Sequence, residues 1–172
     1  KMKSREGTVV DADDMMDDMI ALAQKNTEEL GKIEGFSETE LKELYNTLGL
    51  GALKFYLLRV DPKKRMLFNP EESIDFHGYT GPFVQYTHAR ICSILRKYEY
   101  APCALVTTLS ALEKKLIQRM EQYPEVLMQA SNEFNPSLLC NYLHTLAKNF
   151  NGFLVDHPIL KAESNEIRAM RI

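Results

Sequence analysis

Asn135-Pro136 followed by Leu138, Leu139, Tyr142, Leu143, Leu146, Ala147, Phe150 and Phe153 is the strongest periodic signal in the chain. Spacings of three and four place these side chains in one stripe along an α-helix, whereas a strand would divide them between two faces. Asparagine is a good cap, and proline at the first helical position removes no ladder bond. A helix with one apolar face must bury it against neighbours, so the rest of the chain has to supply them.

It does so with further helices. Asp11, Asp13, Asp14, Asp17 and Asp18 place five carboxylates in eight residues. The glycine and distal glutamate of a calcium loop are missing, so these acids are read as capping a helix and complementing its dipole, with Met15, Met19, Leu22 and Ala23 as the packing stripe. Ser37-Glu-Thr-Glu40 is a capping box that opens a second helix through Leu41, Leu44, Tyr45 and Leu48. Gly49 and Gly51 are expected to loosen it, and a separate buried segment runs from Ala52 to about Val60. Asp61-Pro62 stops that segment. Residues up to Phe76 lack helical period and read as an extended connector or short hairpin. Later helices are expected from about Thr108 to Gln122 (Leu109, Leu112, Leu116, Met120), after Pro124, and after Ser164. The predicted fold is an all-α bundle with an N-terminal helical connector and a short extended segment.

The stretch Gly78 to Lys97 gathers the most groups able to contact a ligand. Pro82 predicts a helix from there to about Tyr98, with Thr80 as cap, packing through Val84, Thr87, Ile91, Ile94, Leu95 and Tyr98. Gln85, His88, Arg96 and Lys97 fall elsewhere. Phe83 and Tyr86 are three apart and so lie side by side near the helix N-terminus. Exposed rings beside cations suit a nucleic-acid loop, since bases stack on aromatics and phosphates meet Arg or Lys. The alternative is that both rings are core.

Other chemistries lack their residues. His77, His88, His144 and His157 are scattered without zinc-ligand spacing, and Cys92, Cys103 and Cys140 form neither a metal pair nor an even disulfide set. No metal site is expected, and the simplest home is a reducing cytoplasm. No nucleophile elbow, Walker loop or dinucleotide fingerprint occurs. No apolar run is long enough for a membrane span. The net charge of -3 conceals an asymmetry: residues 1–80 carry 11 Lys and Arg against 16 Asp and Glu, and residues 81–172 carry 10 against 8. The second part permits polyanion binding without requiring it. Lys1, Lys3 and Arg5 could neutralise a polyphosphate in a pocket made mostly by something else, or form a disordered basic terminus. On these residues alone, an RNA-binding bundle and a helical protein-interaction module without an RNA role both stand.

Lys1-Met-Lys-Ser-Arg-Glu-Gly-Thr-Val-Val10 resembles the KMSKS-type loop of class I aminoacyl-tRNA synthetases in its arginyl variant. Lys3 stands where the loop customarily has Ser, and Ser4 where it has the second Lys. Asp75 to Lys97, with its aromatic-x-Gln-Tyr-x-His-x-Arg run, resembles that family's junction into its anticodon-binding bundle, and Glu166-Ile-Arg-Ala-Met-Arg171 resembles the start of its closing helix. The resemblance implies the C-terminal part of an arginyl-tRNA synthetase, truncated after Ile172. Residues 1–7 would be the loop ending the catalytic domain, 8–60 a helical tRNA-contacting connector, and 61–172 the anticodon-binding bundle. It further implies that Lys1, Lys3, Ser4 and Arg5 approach ATP phosphates in a parent that uses ATP and Mg²⁺ to join arginine to its tRNA. That parent is expected to be monomeric and cytoplasmic. This piece alone is expected to be inactive, with no bound cofactor. For tRNA contact the resemblance implies Phe83, Gln85, Tyr86, His88 and Arg90, with Lys148, Asn149 and Asn151 from the later helix, where Leu154 replaces a frequent Tyr.

Overall fold

The computed structural model describes residues 11–31, 33–98 and 108–172. The loop residues Lys1, Lys3, Ser4 and Arg5, expected near ATP, lie outside the described part. Among the described residues every regular element is helical. The chain forms two compact units, 1–60 with 64–82, and 61–63 with 83–172. Residues 64–82 fall in the first unit, whereas the sequence suggests a boundary at residue 61.

In the first unit Asp11 caps α1 (Ala12–Glu29) by accepting from the Asp13 amide. Ser37 and Glu40 form the capping box of α2 (Glu38–Leu58). Met19 and Ala23 of α1 meet Ala52 and Leu53 of α2, with Ile74 sealing the cluster. The expected break in α2 is absent, and Gly49 serves close approach instead. A Cβ at Gly49 would lie 2.7 Å from the carbonyl oxygen of Met19 and 2.8 Å from the Cα of Ile20. Hydrogen bonding keeps the helix continuous while the missing side chain lets α1 nestle against it.

The connector also differs from expectation, since Asn69 caps a single helical turn, α3 (Pro70–Ser73). Arg59 holds the segment that follows. Its guanidinium lies 3.8 Å from the Tyr56 ring centre, pairs with Glu72 at 2.6 Å and donates to the Tyr79 carbonyl. The Thr80 hydroxyl donates to the Asp75 carbonyl. These bonds fix the backbone where α4 (Gly81–Arg96) begins.

The second unit holds most of α4 with α5 (Ala111–Glu121), α6 (Tyr123–Asn132), α7 (Ser137–Asp156) and α8 (Asn165–Arg171). The α5 start is a capping box of Ser110 and Glu113, three residues later than the sequence reading placed the helix. Asn135 accepts from the Ser137 amide at 3.2 Å, and a 3-10 turn (Ile159–Lys161) leads to α8, which Ser164 caps. Tyr142, Ala147, Phe153 and Ile159 are buried among these helices. The α4 stripe lines, with Leu116, Leu146 and Phe150, an apolar groove of about 550 Å³.

Helix α6 ends in a Schellman-type cap: the Asn135 amide donates to the Ala130 carbonyl at 2.9 Å and that of Phe134 to Ser131 at 3.2 Å. Phe134 therefore takes φ +50°, a conformation that favours glycine, while the residue is 87% exposed. Phe134→Gly is expected to raise stability by about 0.5–1 kcal/mol, relief of left-handed strain exceeding glycine's entropic cost. Urea unfolding checks this, and a lowered midpoint would show that the ring contributes packing.

Candidate nucleic-acid interface

Helix α4 supplies the candidate interface. Counting from Tyr86, Arg90, Ser93 and Lys97 follow at helical spacing with Arg96 beside them, which draws a polar stripe down one side. Tyr86 is 50% exposed, and Arg96 and Lys97 are exposed. On the opposite stripe Thr87 is buried at 4% exposure, while Val84, Ile91 and Ile94 are half-buried along the apolar groove and Leu95 is exposed.

The aromatic pair does not share one environment. Phe83 is half-buried and its ring meets that of His144 on α7, centroids 5.0 Å apart. Spacing along α4 places the two rings together, but His144, from another helix, covers only the first of them. Tyr86 instead has the Arg90 guanidinium 5.9 Å from its ring centre.

Arg90 and Asn151 are brought together across α4 and α7. Arg90 Nη1 donates to Asn151 Oδ1 at 2.7 Å, and Asn151 Nδ2 donates to Thr87 Oγ1 at 2.8 Å. Thr87 in turn donates to the Phe83 carbonyl at 3.0 Å. His88 is exposed, its Nε2 3.6 Å from the Cys92 thiol. Gln85 is half-buried. On α7, Lys148 is exposed, while Asn149 is half-buried with its amide nitrogen lacking an acceptor among the described residues.

Sequence reasoning missed Thr87 and His144. Spacing alone puts Thr87 on an apolar stripe, yet a hydroxyl at a packing position needs partners, and that need is the available signal. His144 gave no signal beyond its place on α7. A second missed pair lies away from this face. Arg171 Nε donates to Glu113 Oε1 at 2.7 Å, with side chains only 12% and 7% exposed. Burial works to raise the Glu113 carboxyl; the Ser110 amide, Arg171 and the Ser110 hydroxyl outweigh it and hold it below the ordinary carboxylate range.

Among the described residues no group of three His, Cys, Asp or Glu could hold a metal ion, and no helix is long and apolar enough to cross a membrane. What the face offers is one aromatic surface, hydrogen-bonding side chains and a few cations, the equipment for a single-stranded nucleic-acid loop.

The DALR anticodon binding domain matches residues 84–172. Arginine–tRNA ligase of Flavobacterium psychrophilum is 54% identical over 100% of this chain, and that of Porphyromonas gingivalis 49%. The chain spans 29% and 30% of the length of these two relatives. Thermus thermophilus arginyl-tRNA synthetase superposes on 96% of the chain with a TM-score of 0.87 at 29% identity, covering 28% of that protein. The Plasmodium falciparum arginyl-tRNA synthetase shares the fold, with a TM-score of 0.79 at 22% identity over 95% of this chain and 29% of its own. With its helical second unit matched from Val84 to Ile172, and with arginine–tRNA ligases as its relatives, this chain belongs to the DALR anticodon binding domain family.

Proposed function

We propose that this chain is the C-terminal, tRNA-binding part of an arginine–tRNA ligase, and that its second unit receives the anticodon loop of an arginine tRNA. The observation that carries the reading is the half-exposed Tyr86 ring at the head of a stripe that continues through Arg90 to Arg96 and Lys97. An unstacked base fits the ring, and the flanking strand's phosphates fit the exposed cations. Gln85, His88, Lys148 and Asn149 stand as neighbouring polar contacts, with Phe83 supporting the ring from the packed side. Residues 8–60 are proposed to meet the inner bend of the tRNA.

Joining arginine to tRNA belongs to the whole enzyme, which would work as a monomer in the cytoplasm. ATP and Mg²⁺ would serve arginine activation there, with Lys1, Lys3, Ser4 and Arg5 as phosphate neighbours and arginine held by residues outside this chain. The 172-residue chain alone is expected to bind without catalysing.

A footprint on an arginine tRNA transcript beside a non-cognate transcript tests the reading. Protection should centre on the cognate anticodon loop, and binding should weaken with salt in proportion to the few phosphates neutralised. Equal protection of both transcripts would remove the specific reading. Salt-independent absence of protection would favour a protein-interaction module.

A further inference from the structure

Resting on that reading, we infer that Arg90 is a positioning residue that acts through Tyr86 and does not itself contact RNA. Its guanidinium has a place on the protein side of the interface. Arginine only donates hydrogen bonds, so its bond to Asn151 at 2.7 Å requires the amide oxygen, which leaves the amide nitrogen for Thr87 at 2.8 Å. Thr87, itself buried, passes the sequence on to the Phe83 carbonyl at 3.0 Å. Each group has one assignable role, and the chain of bonds runs in a single direction from α7 and Arg90 into the α4 backbone.

The consequence falls on the ring. Arg90 is half-buried and sits 5.9 Å from the Tyr86 centroid, within the range where a cation is drawn to an aromatic face. Its anchor is a neutral amide, so the guanidinium keeps its full charge toward the ring. Tyr86 is held from behind and remains half exposed, which preorganises it for stacking before RNA arrives. A phosphate drawn to Arg90 would have to compete with Asn151, whereas Arg96 and Lys97 stand exposed further along the same helix.

A double-mutant cycle decides this, using the arginine tRNA anticodon hairpin as probe and fluorescence anisotropy across a salt series. Arg90→Met should weaken binding roughly two- to fivefold. It should leave the slope of log K against log salt unchanged and have no effect in a Tyr86→Ala background. Asn151→Leu, which keeps the Arg90 charge but removes its anchor, should behave in the same way, and its cycle decides the matter if Arg90→Met does not fold. A slope reduced by about 0.7, the share of one phosphate on a single strand, would overturn the inference, as would equal losses with and without Tyr86. A wild-type chain that fails to bind the hairpin would overturn the RNA reading as well. Wild-type binding with additive losses would overturn the positioning role alone.

Discussion

Substituting alanine for Arg171 is expected to destabilise the second unit by about 3 kcal/mol, at the low end of what breaking a buried ion pair costs. The substitution strands the Glu113 carboxylate at 7% side-chain exposure, although the Ser110 amide still reaches it at 2.7 Å. Losing Arg171 also frees α8 from α5, and the guanidinium leaves the Phe153 ring, 5.8 Å away. For a unit of this size the melting temperature should fall by roughly 12 °C or more. A change below about 1 kcal/mol would mean that the pair behaves as an exposed one and that α8 is not held by it. The pH dependence has a definite sign. The folded Glu113 lies below its ordinary value of 4.5, so its contribution is fully present above that value and is lost as pH falls through the folded one. Wild-type stability should therefore drop more steeply in this acid window than that of Arg171→Ala, whose Glu113 has lost one of the groups that depress it.

That pair also marks where the sequence stopped being legible. Local chemistry was readable: Asp11, the Ser37 and Glu40 box and Ser164 cap their helices, Pro136 sits at the α7 start one position earlier than expected, in the N-cap place, and the α7 stripe buries Tyr142, Ala147 and Phe153. Such signals act within one turn and need no knowledge of the neighbour. Glu113 and Arg171 are 58 residues apart, and nothing in either local pattern requires the other. The glycines of α2 show a different limit. Gly49 reads locally as a helix weakener, and only the arrival of Met19 and Ile20 at its surface turns the missing Cβ into a packing device. The connector was misread because one turn, Pro70–Ser73, is too short to display a period, although Asn69-Pro70 carried the cap signature. At the interface, helical spacing placed Phe83 and Tyr86 together on α4 but could not show that His144 would cover one ring alone. The face of the candidate site was thus readable from a single helix, and its division into packed and open groups depended on α7.

Tyr86→Ala follows from that division and is expected to weaken binding of an arginine tRNA anticodon hairpin by about 1–3 kcal/mol, roughly 5- to 150-fold, the cost of losing one base-stacking ring. Because Tyr86 is 50% exposed, the fold should tolerate the change with little loss in melting temperature. Tyr86→Phe keeps the ring and should bind nearly as well as the wild type. Phe83→Ala is the informative contrast, since its ring packs on His144 at 5.0 Å and its removal should lower stability first and affinity only as a consequence. Salt separates the two contributions to binding. Losing a stacking ring removes a term that does not release counterions, so the Tyr86→Ala curve should run parallel to the wild type across the salt series, displaced toward weaker binding. Measured at low ionic strength, where the exposed cations contribute most, an affinity for Tyr86→Ala equal to the wild type would show that this ring receives no base. The anticodon loop would then have to be met by another part of the unit.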